Sequence, residues 1–235
     1  MGMSASINML CAGGFRAAMD LIGPQFQNNT GIALNMTYAT PGKTREIFEQ
    51  GFTFDLGVVV ASVVTKAQQD GLVQDLKTLK LAISPVGFGV AKSQTIPDIS
   101  TLDAFRKTLA SLNRLGLSDP AAGTNLALEL MAAAEKIGIA EDLRAKALFI
   151  NGPGSAVSAA VARGEADAVI TLASEIKPIP GISFAGAIPS ELQTEYAMQA
   201  IMPASLTSAA QKLMDYICSQ DAKEMMRQIG LKPIV

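Results

Sequence analysis

Residues 10–21 read LCAGGFRAAMDL, and this stretch joins a predicted strand to a predicted helix. The apolar run ends at Cys11, a turn of small residues through Gly13 and Gly14 follows, and Arg16 lies in the first helical turn. Small residues at such a junction allow tight packing, and they also allow an anion to approach the backbone N–H groups at the helix start. The stretch alone leaves both interpretations open.

The same alternation of short apolar runs and longer amphipathic segments continues along the 235 residues, and it is typical of α/β units. We predict strands near residues 7–10, 33–38, 56–60, 86–91, 114–117, 147–150, 168–171, 182–184 and 197–201. We predict helices near residues 15–28, 43–50, 63–70, 102–109, 124–137, 156–163, 206–219 and 222–229. Residues 45–61 and 158–173 both read as a helix, a glycine, an acidic turn and an apolar strand, so one βαβ unit is expected twice.

Two proline-containing segments, residues 84–100 and 177–197, bracket the middle of the chain and are predicted to cross between two lobes. Lobe one is then discontinuous and comprises residues 1–82 and 197–235. Lobe two comprises residues 83–196. A ligand cleft is expected between the lobes.

The composition excludes several classes of protein and site. The sequence contains no histidine, which removes imidazole bases, Ser-His-Asp triads and most zinc sites. A net charge of -2 without basic runs argues against nucleic-acid binding. No apolar run approaches the roughly 20 residues of a membrane span. The isolated Cys11 and Cys218 are expected to be free thiols without metal-ligand spacing, and no metal or cofactor is predicted.

The N-terminal residues MGMSASINML lack the basic region and the long apolar region of a secretory signal. The chain as given is therefore expected in the cytoplasm. A periplasmic location is expected instead if a signal has been removed.

Five junctions share the character of the first one: residues 11–16, 39–44, 60–63, 118–125 and 151–156. Each follows a predicted strand, consists of small or hydroxyl residues and precedes a helix. Ligands of open α/β sheets bind outside the carboxyl ends of the strands, where helix N-termini favour an oxyanion. Such residues are also ordinary helix caps, so the local pattern leaves a structural role open. The hydroxyl residues that could add donors are Thr40, Thr44, Ser62, Ser118, Thr124 and Ser155, of which Thr40, Ser62, Thr124 and Ser155 are the candidates for ligand contact.

Charged residues near these junctions divide into candidate ligand contacts and structural groups. Arg16 and Lys43 could each bind a ligand carboxylate. Arg45 is predicted to lie on a solvated face or in an ion pair. Asp119 is predicted to be a cap or turn acid, and Glu175 either caps a helix after Thr171 or faces the ligand.

Residues 7–62, 117–131, 154–176 and 209–231, taken in this order and spacing, resemble the bacterial extracellular solute-binding proteins of the molybdate-binding type. The resemblance covers essentially the whole chain. It implies an α/β, two-lobed, type II periplasmic-binding-protein-like fold, with a mainly parallel sheet in each lobe and two crossover strands. It also implies oxyanion contacts at Gly13 and Gly14, at Thr40 and Gly42, at residues Ala121, Gly123 and Thr124, and at Gly154 and Ser155.

The sequence departs from the molybdate-binding pattern at the first junction. Ala12, Gly13 and Gly14 stand where that pattern has a serine, and the chain supplies the cations Arg16 and Lys43 at these junctions. We therefore expect a small anion, for which a di- or tricarboxylate is favoured and an oxyanion is the alternative. An ABC transporter permease is the partner expected if the chain is exported.

The resemblance also includes members that are enzymes, such as aconitate isomerase, so a cofactor-independent isomerase is the alternative to a binding protein. Such an enzyme moves a double bond by transferring an allylic proton. The candidate base is Lys43, because a neighbouring Arg16 and helix N-termini would lower the pKa of its amine. Glu175 is a weaker candidate for the same role.

Overall fold

The computed structural model describes residues 5–235; residues 1–4, part of the segment that the location prediction rests on, lie outside the described residues. The strands are β1 (Ser6–Ala12), β2 (Ala33–Ala39), β3 (Leu56–Val60), β4 (Lys77–Ser84), β5 (Val86–Ala91), β6 (Leu115–Ser118), β7 (Ala147–Ile150), β8 (Ala168–Leu172), β9 (Ile182–Ala187), β10 (Tyr196–Met202) and β11 (Lys232–Pro233). The α-helices are α1 (Gly13–Thr30), α2 (Pro41–Gln50), α3 (Ala61–Gln69), α4 (Leu102–Ser111), α5 (Leu126–Lys136), α6 (Ala140–Lys146), α7 (Gly154–Ala162), α8 (Ala173–Ile176), α9 (Ser208–Ile217) and α10 (Gln220–Gln228). Short 3₁₀ turns occupy Pro120–Ala122 and Ser190–Leu192.

The described chain divides into two compact units. Unit 1 is formed by the described residues of Met1–Ile83 together with Tyr196–Val235, and unit 2 is formed by Ser84–Glu195. The chain leaves unit 1 after Ile83, at the last residue of β4, and returns to it between β9 and β10. Each unit therefore has its own sheet and its own set of helices.

Unit 1 contains a sheet of six described strands in the order β11-β4-β10-β3-β1-β2. β1 lies between β2 and β3 and is parallel to both. β10 pairs antiparallel with β3, and β11 pairs antiparallel with β4. The sheet is thus mixed. β1, β2 and β3 are parallel and are connected through helices, whereas β10 follows the return of the chain from unit 2 and β11 follows α10, and both of these strands pair antiparallel.

Both faces of β1 are covered, since the neighbouring residues Met9 and Leu10 are both fully buried. Leu10 packs in a cluster with Phe48 of α2, Val64 of α3 and Ile201 of β10. α1 and α9 also contact β1. The helices α1, α2, α3 and α9 thus pack around β1, and α1, α2 and α3 begin at the carboxyl ends of β1, β2 and β3.

Unit 2 repeats this arrangement in a sheet of five described strands, in the order β7-β6-β8-β5-β9. β6 lies between β7 and β8 and is parallel to both, whereas β5 pairs antiparallel with β8 and β9. The βαβ unit expected twice from the sequence is confirmed. In unit 1, β2 and β3 are connected through α2 and lie on either side of β1; in unit 2, β7 and β8 are connected through α7 and lie on either side of β6.

The structure contains elements that the sequence pattern did not predict. β4 begins with four exposed residues and so lacks an apolar run at its start, and α6 spans only Ala140–Lys146. α8 and β11 have four and two residues, which is too short for any periodicity to show.

We expect the core around β1 to control the stability of unit 1. Leu10→Ala should lower the free energy of unfolding by about 2–5 kcal/mol, because Leu10 is 0% exposed and its removal leaves a cavity. Leu79→Ala is the matched control, since Leu79 is 38% exposed on β4, and it should change stability by less than about 1 kcal/mol. Denaturant unfolding measures both, and equal losses would contradict this assignment of the core.

Candidate functional site

Three helices begin side by side at one edge of the unit 1 sheet. The register of β1 places Cys11 opposite Tyr38 of β2 and Val58 of β3, so the carboxyl ends of these parallel strands are nearly level. α1, α2 and α3 start directly after them. Because neighbouring strands are about 4.8 Å apart, the three helix N-termini lie close together. We call residues 12–16, 39–44 and 60–63 the unit 1 edge.

Two of these helices begin without a side-chain cap. α1 follows Ala12 and α3 follows Val60, and neither residue can accept a hydrogen bond through its side chain. By contrast α4, α9 and α10 follow Thr101, Thr207 and Ser219, whose hydroxyl groups accept a backbone N–H of the first turn. The first turns of α1 and α3 therefore keep N–H groups that a ligand can use.

α2 differs from its two neighbours because it is capped. The hydroxyl of Thr40 accepts the N–H of Lys43 at 3.3 Å, and the hydroxyl of Thr44 donates to the Thr40 carbonyl at 3.0 Å. Gly42 is half-buried in this first turn, and Ser62 is exposed in the first turn of α3. The unit 1 edge thus brings together seven predicted site residues: Gly13, Gly14, Arg16, Thr40, Gly42, Lys43 and Ser62.

Arg16 is a cation of the unit 1 edge whose side chain contacts Tyr38 and Asp20 and stays exposed to solvent. Its guanidinium lies over the ring of Tyr38, with the carbon 4.5 Å from the ring centre, and its Nε is 3.7 Å from Asp20 Oδ2. The Tyr38 hydroxyl donates to the same carboxylate at 3.2 Å. Burial, followed by the charge of Asp20, raises the pKa of Tyr38 to about 12, so this hydroxyl stays protonated. The Arg16 side chain remains 58% exposed and can meet a ligand.

Lys43 does not have the surroundings expected of a catalytic base. The sequence suggested a cationic neighbour, but the structure pairs Lys43 Nζ with Glu46 at 2.7 Å and Arg16 with Asp20. Both side chains of this pair are 56% exposed, so the ammonium group of Lys43 is accessible to an anionic ligand. Arg45 forms the expected ion pairs, with Glu49 at 3.1 Å and Asp70 at 2.7 Å.

At the corresponding edge of unit 2, polar groups form hydrogen bonds with one another within the chain. This unit 2 edge comprises residues 118–125, 151–156 and 171–176, which follow β6, β7 and β8. The Asp119 carboxylate accepts the N–H of Ala121 at 2.9 Å, and the Gly123 N–H donates to the Pro120 carbonyl at 3.0 Å. The Thr124 hydroxyl donates to the Asp119 carbonyl at 3.4 Å. The capping role predicted for Asp119 is confirmed, while Ala121 and Gly123, expected as ligand donors, already have acceptors in the chain.

Glu175 of α8 occupies the N-terminus of α7. Its Oε2 accepts the Thr171 hydroxyl at 2.9 Å, and the carboxylate accepts the backbone N–H of Gly154. α7 follows Pro153 and has no side-chain cap of its own, so Glu175 performs that function from another helix. A Cβ at Gly154 would overlap the Thr171 hydroxyl and the Glu175 carboxylate. Gly154 is therefore required by this close approach, and its N–H is not open as the sequence suggested; Ser155 follows it, half-buried in the same turn.

Glu175 is the one Asp, Glu, Lys or Arg side chain that is buried in the part of the chain described, at 8% exposure. Burial raises the pKa of its carboxyl from 4.5 to about 6, while the hydrogen bonds from Thr171 and Gly154 lower it. Desolvation thus outweighs both hydrogen bonds, and the group changes charge near neutral pH. Such a carboxyl group can exchange protons with a ligand that reaches it.

The sequence did not identify two partners that organise these edges. Tyr38 was not recognised as a partner of Arg16, whose guanidinium lies over its ring. Thr171 was not recognised as a hydrogen-bond partner of Glu175. The four-residue spacing from Thr171 to Glu175 across a strand-to-helix junction is the signal that could have shown this contact.

Other expectations concern metals, cysteines and membranes. Residues 5–235 contain no group of three His, Cys, Asp or Glu side chains placed to hold a metal ion. Cys11 and Cys218 are both free, as predicted, with Cys11 buried and Cys218 half-buried. Burial raises the pKa of both thiols. In the same residues, no helix is both long and apolar enough to cross a bilayer.

Comparisons with known proteins show the family and the fold of the chain. A family profile described as bacterial extracellular solute-binding protein matches residues 7–232. Aconitate isomerase from Pseudomonas sp. is 30% identical over 236 residues, which cover 97% of this chain and 88% of that protein. The periplasmic molybdate-binding protein of Azotobacter vinelandii superimposes with a TM-score of 0.74 at 15% identity, covering 97% of this chain and 99% of the other. Peb3 from Campylobacter jejuni gives a TM-score of 0.70 at 21% identity over 96% and 99%; PEB3 has also been solved bound to L-phospholactate.

Glu175 should make stability depend on pH in a defined direction. Its folded-state pKa of about 6 lies above the ordinary 4.5, so the folded protein holds this proton more tightly than the unfolded chain. The contribution is fully present below pH 4.5 and is lost as the pH rises through about 6, a change of about 2 kcal/mol.

Glu175→Gln removes this titration, so the stability of the wild type relative to the variant should fall by that amount between about pH 4.5 and pH 7.5. Denaturant unfolding at several pH values measures the difference. Glu141→Gln, at an exposed position of α6, is the control and should follow the wild type. Parallel curves for wild type and Glu175→Gln would contradict the assignment.

Proposed function

Because the chain belongs to the bacterial extracellular solute-binding protein family, we propose that it binds a small organic anion, a di- or tricarboxylate, at the unit 1 edge. The observation that carries this proposal is the pair of uncapped helices α1 and α3 that start from adjacent parallel strands. Their N–H groups and partial positive charges favour an oxyanion. Gly13 and Gly14 allow the ligand to approach the backbone of α1 closely.

The cations of the unit 1 edge favour a carboxylate over an inorganic oxyanion. Arg16 is aligned by the Tyr38 ring and by Asp20, and Lys43 is exposed in the first turn of α2. A planar guanidinium binds a carboxylate through two parallel hydrogen bonds. The names of two relatives are consistent with this class: aconitate carries three carboxylates, and L-phospholactate carries one beside a phosphate.

Delivery of this ligand to an ABC transporter permease is part of the same proposal for an exported form of the chain. Three expectations from the sequence stay predictions: a ligand cleft between the lobes, the cellular location, and ligand contacts at Thr124 and Ser155.

A thermal-shift screen tests the anion class. Citrate or another tricarboxylate at about one hundred times its dissociation constant should stabilise the protein by about 2.7 kcal/mol. Arg16→Ala should weaken this binding by about tenfold or more, because a charge-assisted hydrogen-bonded contact is lost. Arg227→Ala, which removes an exposed arginine of α10 paired with Glu224, is the control and should bind as the wild type does. A shift with molybdate or tungstate and none with carboxylates would refute the proposal.

We propose isomerisation of an unsaturated tricarboxylate as a second candidate function. It is supported by the 30% identity to aconitate isomerase over 97% of the chain and by the buried carboxyl of Glu175, whose pKa is about 6. The base takes a proton from one end of an allylic system, the double bond moves, and a proton returns at the other end. The reaction is redox-neutral, and Glu175 replaces Lys43 as the candidate base because Lys43 is paired with Glu46.

Proton NMR of cis-aconitate incubated with the protein tests this function. The wild type should form the trans isomer, and in D₂O the carbon that receives the proton should incorporate deuterium. Glu175→Gln should lower turnover by about 10²-fold or more, while Lys43→Ala should retain a turnover number close to that of the wild type even if it binds more weakly. Unchanged turnover in Glu175→Gln would remove Glu175 from the role of base, and the absence of any conversion by the wild type would refute this second function.

A further inference from the structure

Asn151 differs from the other asparagines of the chain because a glycine follows it. The chain contains seven asparagines, and of these only Asn151 precedes a glycine. Glycine has no Cβ, so another group can approach its backbone nitrogen closely. Asn151 and Gly152 lie in the connection between β7, which ends at Ile150, and α7, which begins at Gly154.

The local structure leaves this pair of residues unconstrained. Asn151 is exposed, Gly152 is half-buried, and both lie in a bend outside any helix or strand. Within residues 5–235, the Gly152 N–H donates no hydrogen bond and the Asn151 side chain takes part in none. The side-chain amide of Asn151 and the backbone nitrogen of Gly152 are therefore both available for reaction with each other.

The other asparagines lack this combination. Asn125 is exposed but precedes Leu126, the buried first residue of α5. Asn113 precedes Arg114, whose N–H donates to the Asp167 carboxylate at 2.9 Å. The remaining four lie within regular elements: Asn8 in β1, Asn28 and Asn29 in α1, and Asn35 in β2.

We propose that Asn151 is a site of spontaneous covalent modification, at which the side-chain amide is converted to an acid without an enzyme. The backbone nitrogen of Gly152 attacks the side-chain carbonyl carbon of Asn151, and a succinimide ring forms. The proton of the Gly152 N–H passes through solvent to the departing amide nitrogen, which leaves as ammonia. Water then opens the ring at either carbonyl carbon and gives aspartate or isoaspartate. Both steps are redox-neutral.

The modification changes the charge and the backbone just before α7. Each modified chain gains one negative charge, which takes the net charge from -2 to -3 at pH 7. In isoaspartate the backbone runs through the side-chain carbon, so the main chain is one carbon longer three residues before Gly154. A Cβ at Gly154 would overlap the Thr171 hydroxyl and the Glu175 carboxylate, so the start of α7 has little room for a displaced backbone.

Incubation of the whole chain at pH 8 for several days, followed by trypsin digestion and mass spectrometry, tests the proposal against an unincubated sample. Trypsin releases residues 147–163 and residues 115–136, each with a single asparagine and no glutamine, Asn151 and Asn125 respectively. Asn151 should be converted about tenfold faster than Asn125, or more, because Leu126 hinders ring closure and Gly152 does not. Asn151→Gln is the control and should give far less acid in residues 147–163, since its ring closure requires a larger ring.

A comparison of the folded chain with the chain unfolded in guanidinium chloride shows whether the structure leaves the site reactive. Because the bend holds neither residue in regular structure, the folded chain should react within about tenfold of the unfolded rate. The Asn151→Asp variant supplies the authentic aspartate product, with which one acidic species of the aged wild type should coelute on anion exchange. Equal rates at Asn151 and Asn125, or a product that forms only in the unfolded chain, would overturn the proposal.

Discussion

A helix that follows a strand brings backbone N–H groups to the strand's carboxyl end, and those groups need acceptors. In both units this requirement is concentrated at one edge, because parallel strands end together and each is followed directly by a helix. A side-chain cap is the ordinary solution, and α4, α9 and α10 use it. At the two edges, the Thr40 hydroxyl caps α2 in the same way, whereas α1, α3 and α7 have no side-chain cap from the residue that precedes them.

The two units meet the same requirement in opposite ways. At the unit 1 edge, α1 and α3 follow Ala12 and Val60 without side-chain caps, and Arg16 and Lys43 add positive charge. At the unit 2 edge, the chain provides the negative charge itself through Glu175. One βαβ topology therefore yields an edge with two uncapped helix starts and two cations, and an edge at which a carboxylate lies at the start of α7.

The fold was largely predictable from the sequence, because apolar runs of strand length separated by amphipathic helices fix an α/β architecture. The strand-to-helix junctions were predictable for the same reason. The chemistry at those junctions was not, since it depends on which side chains meet. Lys43 was expected beside a cation, but a helical spacing of three residues places it against Glu46. The acceptor for the Gly154 N–H comes from Glu175, which is distant in sequence and identifiable only after β7 and β8 are placed on either side of β6. β4 was missed because its first half is exposed and polar.

The discontinuity of unit 1 also determines the order in which the protein can fold during synthesis. Unit 2 is one continuous segment, Ser84–Glu195, whereas β3 of unit 1 pairs with β10, which begins only at Tyr196. Until the last forty residues, Tyr196–Val235, leave the ribosome, β3 has an unpaired edge and the helices α9 and α10 are missing. Such edges invite association with other chains, and the long sequence separation slows the pairing. The nascent chain is therefore most vulnerable to aggregation after unit 2 has formed and before its C-terminal segment completes unit 1.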